Sequence, residues 1–382
     1  MDFSIPAPLA EEVERFKAWI DGELAGDLVE WYRSRALTRR FFETLGDGGW
    51  YGVQFEGGRL HESPALREAL LTSELAKKSP GAAIAALAHS DLGLMGLLKF
   101  GSPSLHERYG AGAVRGHTIM CLGNTENTAG SDAAAVEMGA EKQYGGWVLR
   151  GTKAYVTNGA IADLAVVTAM TDPEAPRSRR HSMFLVDTSQ DRVRRRKLNK
   201  QVWVPSDLTR LTFDGVFVPD DHLLGLRGRG LQQVLAVFTR SRIPIAALSL
   251  ATAEGAFELA IEHSRRREIF GRKIHEFQAK AFESAALYAR MEAARMLVWQ
   301  ACWLLDHGKD YRQASSLAKY LAVEIAKDAA AWSADLFGAA AVVFDHPVHQ
   351  FPMDAWAASI GEGTQDVQKL IIFREMMKKM AR

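Results

Sequence analysis

The chain beyond residue 230 consists of long amphipathic segments rich in alanine, and this feature restricts the possible folds most. The segments cover 231–238, 244–266, 276–306, 311–337 and 366–380. Alanine is the strongest helix former, and its small side chain lets helices pack closely. Apolar residues that recur three and four positions apart give each helix one face to bury. Four or five such helices predict an antiparallel helical bundle.

The chain before residue 230 shows two other patterns. Predicted helices at 9–19, 28–45, 63–78, 80–100 and 105–110 fill the first 115 residues. Short runs with β-branched and aromatic residues follow at 118–122, 147–150, 154–157, 164–169, 182–186 and 211–218, and they predict strands. The sequence therefore predicts an α+β protein, mostly α. Its predicted parts are a helical domain (1–115), a barrel-like β domain (116–226) and a four-helix bundle (227–382). Helices and strands do not alternate, which argues against a parallel nucleotide-binding sheet.

Composition excludes several classes of function. The net charge of +1 over 382 residues creates no field that would attract nucleic acid. Cys121 and Cys302 are isolated, and no secretory signal is visible, so we expect a reducing cytoplasm. The apolar run 82–100 is interrupted by His89, Ser90 and Asp91, so we expect no membrane span. Histidines do not cluster at metal-ligand spacing, and no metal site is predicted.

A single carboxylate between two glycines, Gly361-Glu362-Gly363, precedes the last predicted helix. Glycine permits backbone conformations closed to other residues and lets a ligand approach closely. The segment therefore predicts a tight loop that presents Glu362 at a helix start. The alternative is a surface turn with an acidic residue that the helix dipole favours.

Two further segments could hold a ligand. Residues 125–132 (TENTAGSD) bunch hydroxyls, an amide and a glycine after an apolar strand, which suits a phosphate or ring-edge binder. They also suit a polar loop with a helix cap at Ser131 or Asp132. Residues 151–159 (GTKAYVTNG) predict a strand with Tyr155 and Thr157 on one face. This pair could cover a flat heterocycle, or it could be an ordinary cross-strand pair.

Two arginine-rich segments also leave alternatives open. Residues 265–267 precede Phe270 and Gly271, and guanidinium groups there could bind anions or could cover a solvated helix end. Residues 192–197 (RVRRRK) could receive a phosphate or an acidic carrier protein. They could equally protect the edge of a sheet with positive charge.

Taken together, these segments resemble the acyl-CoA dehydrogenase family of flavoproteins. The segment 125–132 resembles the family's Thr-Glu-Pro-x-Ala-Gly-Ser-Asp, and 151–159 resembles its Gly-x-Lys-x-Trp-Ile-Thr-Asn. The segment 267–278 resembles Arg-x-x-Phe-Gly followed by Gln, and 362–364 resembles Tyr-Glu-Gly-Thr, which holds the catalytic base. All four motifs occur in the family's order.

The resemblance implies FAD, bound between the β domain and the bundle and reaching a neighbouring subunit. It implies cofactor contacts from Leu122, Asn124, Thr125, Gly130, Ser131, Tyr155, Val156, Thr157, Arg267, Phe270, Phe277, Gln278, Asp335, Gly338 and Thr364. It implies substrate contacts from Ser131, Arg242, Gly361 and Gly363.

The implied activity is α,β-dehydrogenation of an acyl thioester of CoA or of a carrier protein. Glu362 would remove the α-proton and flavin N5 would take the β-hydride. The implied partners are an electron-accepting flavoprotein or oxygen, and further copies of the chain in a dimer or tetramer. Some family members carry the base at the position of Ser241, where serine cannot act as one.

Several positions depart from the family pattern. Asn127 replaces a proline, Tyr155 a tryptophan, Gly361 a tyrosine, Asp335 a glutamine and Met353 an arginine. Gly361 is expected to open space at the acyl pocket, and Asp335 would put a carboxylate near the pyrophosphate. The departures keep two alternatives open: a flavin-dependent monooxygenase such as an N-hydroxylase, and a catalytically silent flavin-binding subunit.

Overall fold

The computed structural model describes residues 4–24, 26–344 and 346–381. Its first part is helical. The helices are α1 (Ala7–Trp19), α2 (Leu28–Ser34), α3 (Arg39–Asp47), α4 (Ala65–Lys78), α5 (Pro80–Leu87), α6 (Met95–Phe100) and α7 (Pro103–Val114). A π-helical segment, Ala88–Leu94, joins α5 to α6 without a break.

Two predictions for this part were wrong. The single helix expected over 28–45 is two helices, because Arg35 adopts a left-handed conformation (φ +56°) and ends α2. An antiparallel hairpin of β1 (Val53–Glu56) and β2 (Arg59–Glu62) forms where only a break between helices was expected. Gly57 and Gly58 make the turn with φ of +57° and +78°. Two successive positive φ values fit the tight turns that connect hairpin strands.

The middle of the chain forms one sheet. Its strands are β3 (Met120–Gly123), β4 (Gly139–Gln143), β5 (Gly146–Thr157), β6 (Leu164–Met170), β7 (His181–Asp187), β8 (Val193–Lys197), β9 (Leu208–Pro219) and β10 (Leu223–Leu224). The order is β10-β7-β6-β4-β5-β9-β8, and β3 pairs parallel to β6. Along β9, Leu211, Phe213, Val216 and Val218 are buried. Regular alternation breaks near Gly215 (φ +76°), where a bulge opposes Leu149 and Arg150.

The last part is the predicted bundle. Its helices are α8 (Gly230–Arg266), α9 (Gln278–Asp306), α10 (Arg312–Phe337), α11 (Gln350–Ala357) and α12 (Gln365–Met380). A short hairpin of β11 (Glu268–Ile269) and β12 (Arg272–Lys273) lies between α8 and α9. Buried alanines of α8, α9 and α10 share one core with Met291, Val298 and Phe351. Small side chains at these positions let the helices approach closely.

The expected break in α8 between 238 and 244 is absent. Pro244 lies inside one continuous helix of 37 residues. Proline removes a backbone donor and crowds the preceding turn, which usually kinks or ends a helix. Here every residue from Arg240 to Ala256 is buried. Packing on all sides holds the helix through the proline, and Ser241 and Arg242 therefore lie on a rigid element.

Among the residues that the structure describes, two helical stretches are long and apolar enough, by length and composition alone, to cross a membrane, although the interrupted run at 82–100 predicted no span. They are Pro80–Phe100 and Gly230–Arg266, each with a mean hydropathy of 1.4 over its most apolar window. The fold buries 83% and 78% of those windows. Burial inside the protein therefore accounts for their apolar character. His89, Ser90 and Asp91 are buried as well.

Candidate active site

Glu362 lies in the short loop between α11 and α12. Its backbone is left-handed (φ +56°), and Gly363 follows with φ +85°. A positive φ is uncommon for a residue with a side chain and often marks a functional site. Thr364 then caps α12, because its Oγ1 accepts a hydrogen bond from the N–H of Val367 at 3.4 Å. The structure thus has the predicted glycine loop at a helix start, with Glu362 in a strained conformation.

The Glu362 side chain is half-buried and lies against α8. The Ser241 hydroxyl donates a hydrogen bond of 2.6 Å to Glu362 Oε2. Burial raises the pKa of Glu362 above its ordinary value, while the Ser241 hydrogen bond and the charges of Lys319 and Arg242 oppose that rise. A carboxyl whose pKa lies above the usual glutamate range is suited to accept a proton near neutral pH. Ser241 is therefore the partner of the candidate base.

Two buried cations lie near Glu362. Arg242 is 6% exposed, and burial lowers its pKa. Within the described residues its Nε has no hydrogen-bond partner. Lys319, on α10, is fully buried, and burial lowers its pKa to about 7. Sequence reasoning identified Arg242 but missed Lys319; the available signal was a lysine within an alanine-rich, otherwise buried stretch.

The space beside Gly361, which was expected to be open, is bordered on one side by Trp203. A Cβ placed on Gly361 would lie 3.6 Å from the indole ring of Trp203. The Trp203 backbone is left-handed (φ +47°), and its N–H donates to Asp354 Oδ1 at 2.5 Å. Lys200 donates to the Trp203 carbonyl at 2.7 Å. An aromatic ring from the loop between β8 and β9 thus lies in contact with the position where the family's tyrosine side chain would begin.

The Trp203 indole N–H is buried and, among the residues described, has no acceptor. A buried donor without a partner costs free energy, so it marks a place where a ligand atom could bind. Trp203 was not among the sequence candidates. No local pattern pointed to it, since it lies about 160 positions from Gly361 in the chain.

The polar loop after β3 is attached to the sheet at its first residues. Asn124 Oδ1 accepts a hydrogen bond of 2.6 Å from Thr168, and the Thr125 carbonyl accepts one of 2.8 Å from the N–H of Ala154. Leu122 is buried in β3. These contacts attach the loop to its neighbours in the sheet.

A buried ion pair holds the same loop from inside. Glu126 accepts from Lys153 Nζ at 2.7 Å and from the N–H groups of Glu137 and Met138 at 2.8 and 3.1 Å. Lys153 is fully buried, and burial lowers its pKa to about 8. Glu126 and Lys153 were quoted only as letters of motifs, and their pairing follows from the structure.

The tip of this loop is open. Gly130 and Ser131 are exposed, and a Cβ added to Gly130 would meet no atom within 4 Å. Asp132 caps a short 3-10 turn by accepting from the N–H of Ala134 at 3.3 Å. The helix-cap reading therefore holds for Asp132, while Gly130 and Ser131 remain accessible to a ligand.

Tyr155 and Thr157 do not follow the regular alternation that was expected. The pairing of β5 with β9 shifts between Lys153 and Val156, and Tyr155 lies in that bulge with φ +56°. Tyr155 is 58% exposed and Thr157 is half-buried, whereas the Val156 side chain is 2% exposed in the core. Only the backbone of Val156 can therefore contact a ligand. Bulges often redirect a side chain at a functional site.

The remaining cofactor candidates lie at the far end of α8. Arg267 ends α8, Phe270 is 95% exposed in the β11–β12 turn, and Phe277 and Gln278 begin α9. Asp335 and Gly338 end α10 at the same place, as shown by the stacked rings of His263 and Phe337 at 4.2 Å.

These six residues are not brought together with Glu362 within one chain. Arg267 follows Ser241 by 26 residues on or just past one helix, which is about 39 Å at 1.5 Å per residue. The resemblance implies that Arg267, Phe270 and Gln278 bind the FAD of a neighbouring subunit, and this role stays a prediction.

Other sequence candidates have structural partners. His89 accepts from the N–H of Met120 at 3.0 Å, and its other nitrogen lies 3.0 Å from the Ala113 carbonyl. Asp91 pairs with Arg240 of α8. His89 and Asp91 are therefore buried polar residues with partners inside the core. Among the described residues, no group of three or more His, Cys, Asp or Glu side chains could hold a metal ion.

The arginine-rich segment 192–197 contains β8, the edge strand of the sheet. Arg194 pairs with Asp214. Arg195 donates to the carbonyls of Ala162 and Thr188 at 3.0 and 2.8 Å. These contacts favour the reading of a protected sheet edge over that of an anion-binding patch.

The chain thus combines a helical part, a sheet and a helical bundle, and it presents a half-buried glutamate beside α8. Three family models match: the acyl-CoA dehydrogenase N-terminal domain over residues 10–117, the middle domain over 121–216 and the C-terminal domain over 228–377. This chain belongs to the acyl-CoA dehydrogenase family, and it is an oxidoreductase. An acyl-CoA dehydrogenase of Bacillus subtilis is 32% identical over 311 residues, which cover 81% of this chain and 81% of that relative.

Solved structures agree with this assignment. Butyryl-CoA dehydrogenase from Megasphaera elsdenii superposes with a TM-score of 0.93 at 28% identity, covering 99% of this chain and 100% of that one. PigA, solved with FAD and proline, superposes with a TM-score of 0.93 at 25% identity, covering 98% of this chain and 99% of PigA. The predicted family and fold class are confirmed, and FAD is the cofactor expected for this chain.

The residues present fit FAD. Gly130 and Ser131 leave an open edge, and the exposed Tyr155 lies on the same strand as Thr157. The buried Arg242 Nε and Trp203 Nε1 are donors without partners within the described residues. Flat aromatic surface and unpaired donors suit a heterocycle and an acyl thioester bound beside each other.

Proposed function

We propose that this protein dehydrogenates an acyl thioester between its α and β carbons, with Glu362 as the base that removes the α-proton. One observation carries the proposal: the Glu362 side chain is half-buried, its carboxylate is held at 2.6 Å by Ser241, and desolvation raises its pKa. A solvated surface turn would give an acidic residue none of these properties. A flavin monooxygenase of this fold would not need a carboxylate there.

Each side chain has a role in the proposed reaction. The thioester α-proton is weakly acidic, so its removal requires stabilisation of the charge that develops on the carbonyl oxygen. The backbone N–H of Glu362 is the proposed donor. Arg242 contributes positive charge, and Ser241 fixes the position of the carboxylate. Bound FAD would supply the hydride acceptor, because no protein side chain can accept hydride.

The substrate is proposed to be a thioester with a short or slender acyl group. Trp203 occupies space next to the base, and a structural relative is named for butyryl-CoA. Coenzyme A or a carrier protein could bear the acyl group, since both present the same thioester. The proposed electron acceptor is an electron-carrying flavoprotein or oxygen. The proposed working form is a cytoplasmic homo-oligomer in which Arg267 and Phe270 reach a neighbouring subunit's FAD.

The test is an anaerobic titration of the FAD-loaded protein with acyl-CoAs of graded length, followed by the visible flavin spectrum. Bleaching that is strongest with one or two short chains is the expected result. A flavin band that no acyl-CoA bleaches, but that a carrier-bound acyl group does, would move the proposal to carrier-protein substrates. A flavin band that bleaches with neither would contradict the dehydrogenase proposal.

A further inference from the structure

Lys319 holds the loop that carries the candidate base. It projects from α10 with its side chain fully buried. Its ammonium donates hydrogen bonds to the carbonyls of Gly361 and Gly363, the second at 2.5 Å. These are the two carbonyls on either side of Glu362. Lys319 therefore binds the loop through its backbone carbonyl groups.

Gln368 completes the contact from α12. Its side-chain amide donates to the carbonyls of Glu362 and Gly363 at 3.3 and 3.0 Å. Three consecutive carbonyls, those of residues 361, 362 and 363, are thus held by Lys319 and Gln368. A loop with two successive positive φ values has little regular hydrogen bonding of its own, so these donors fix its orientation.

The orientation of the carbonyls fixes the orientation of the amides. In a planar trans peptide the C=O of one residue and the N–H of the next point in opposite directions. Because the Gly361 carbonyl points at Lys319, the N–H of Glu362 points away from it. Within the described residues that N–H makes no hydrogen bond. It is a preoriented donor with no acceptor of its own.

We infer that Lys319 is a positioning residue that aims the backbone N–H of Glu362 at the thioester carbonyl oxygen. This inference rests on the proposed function and specifies how the site stabilises the developing enolate. Lys319 touches neither substrate nor cofactor in this role and acts through the peptide bond between Gly361 and Glu362. A lysine that served packing alone could be replaced by methionine, which has a similar shape and avoids the cost of burying an ammonium.

The experiment measures ionisation of a bound β-keto thioester, which needs the oxyanion donor but no hydride transfer. Acetoacetyl-CoA is titrated into the FAD-loaded protein, and its enolate is followed by near-ultraviolet absorbance as a function of pH. Lys319→Met removes the donors, and Lys319→Arg keeps them. Lys327→Met is the matched control, since Lys327 lies on the same helix and pairs on the surface with Glu324.

The wild-type protein should lower the pKa of bound acetoacetyl-CoA below that of the free ligand. We expect Lys319→Met to weaken this ionisation by about tenfold, which is less than the roughly 10²- to 10³-fold cost of losing an oxyanion donor outright. Lys319→Arg should recover part of it, and Lys327→Met should match the wild type. Equal ionisation in Lys319→Met and the wild type would overturn the inference.

A second variant covers the case in which Lys319→Met does not fold. Gln368→Met removes the donor to the Glu362 carbonyl, and it should weaken ligand ionisation by a smaller factor than Lys319→Met. An unchanged ligand ionisation in Gln368→Met would count against the inference that Lys319 and Gln368 hold the loop in position. If the wild-type protein neither ionises acetoacetyl-CoA nor is bleached by any acyl-CoA, the proposed function itself fails. Bleaching in the wild type with no effect of either variant would remove only the role of Lys319.

Discussion

Ser241 and Glu362 are 121 positions apart in the chain, and their side-chain oxygens lie 2.6 Å apart in the fold. The hydroxyl donates to the ionised carboxylate and so lowers a pKa that burial raises. Removal of this donor in Ser241→Ala should raise the pKa of Glu362 further. A hydrogen bond to a charged group contributes about 1.5–3 kcal/mol. At about 1.4 kcal/mol per pH unit, the shift is roughly one to two units.

The shift is measured as the pH dependence of single-turnover flavin reduction by an acyl-CoA substrate. The base must be ionised, so the rate rises with pH through the Glu362 pKa, and in Ser241→Ala the midpoint should move to higher pH. Ser249→Ala is the control, because Ser249 is a buried serine of the same helix that bonds to the Ile245 carbonyl. Coinciding profiles for Ser241→Ala and the wild type would show that the hydroxyl does not tune the base.

Replacement of Glu362 by glutamine should abolish proton abstraction and leave the fold intact. General-base catalysis contributes about 10²- to 10⁴-fold, so flavin reduction should fall by at least that factor. FAD content, measured from the absorbance ratio of the purified protein, should remain that of the wild type. The two measurements separate a lost base from a lost cofactor. Retained reduction with normal FAD content would exclude Glu362 as the base.

Trp203 should limit the size of the acyl group. The indole lies within van der Waals distance of a Cβ at Gly361. Trp203→Ala should therefore shift the preferred acyl-CoA toward longer or branched chains, as read from kcat/KM across a series. Trp203→Phe keeps a ring and should shift the preference less. If the two variants keep the wild-type preference, Trp203 does not form part of the acyl pocket.

The Lys153–Glu126 pair should govern FAD retention. Both side chains are buried, and Glu126 holds the backbone at Glu137 and Met138. Lys153→Met leaves a buried carboxylate without its cation, so the loop that carries Ser131 should loosen and the Kd for FAD should rise about tenfold or more. Lys142→Met is the control, since Lys142 pairs with Asp220 at the surface. The Kd is measured by fluorescence quenching of added FAD.

Arg240 should be critical for stability. It is fully buried and forms ion pairs with Glu62 at 2.8 Å and with Glu68 and Asp91. Arg240→Met should lower the free energy of unfolding by about 3–5 kcal/mol, because buried carboxylates lose their cation. Arg266→Met, which breaks a surface pair with Glu262, should change it by less than about 1 kcal/mol. Urea denaturation measures the free energy of unfolding of both variants.

The loss of unfolding free energy in Arg240→Met should depend on pH. Burial already raises the pKa of Glu68. Without Arg240 the folded state would hold the Glu68 proton still more tightly than the unfolded state. Stability of the variant should then fall as pH rises above the ordinary glutamate range. A loss that is equal at pH 5 and pH 8 would argue against this account.

The sequence by itself determined the order of helices, strands and bundle, and it located Glu362. Both follow from local patterns: apolar periodicity sets each element, and glycines on either side of a carboxylate set a loop. The same local reading failed at Pro244, because burial along α8 outweighs the cost of a proline. It also failed at residues 53–62, where two glycines make a hairpin turn. Tyr155 was located, but not the bulge that turns it outward.

Only the tertiary structure decided which side chains surround the base. Lys319 lies 42 positions from the Gly361 carbonyl that it binds, and Ser241 and Trp203 come from another helix and from the sheet domain. In the sequence Lys319 stands in an alanine-rich stretch with no indicated partner, and a glycine in place of tyrosine indicates open space. Packing supplies the partners, because Lys319 is buried where it binds two backbone carbonyls and the indole of Trp203 lies 3.6 Å from a Cβ at Gly361. Contacts between distant segments depend on how the elements pack, and local periodicity does not encode them.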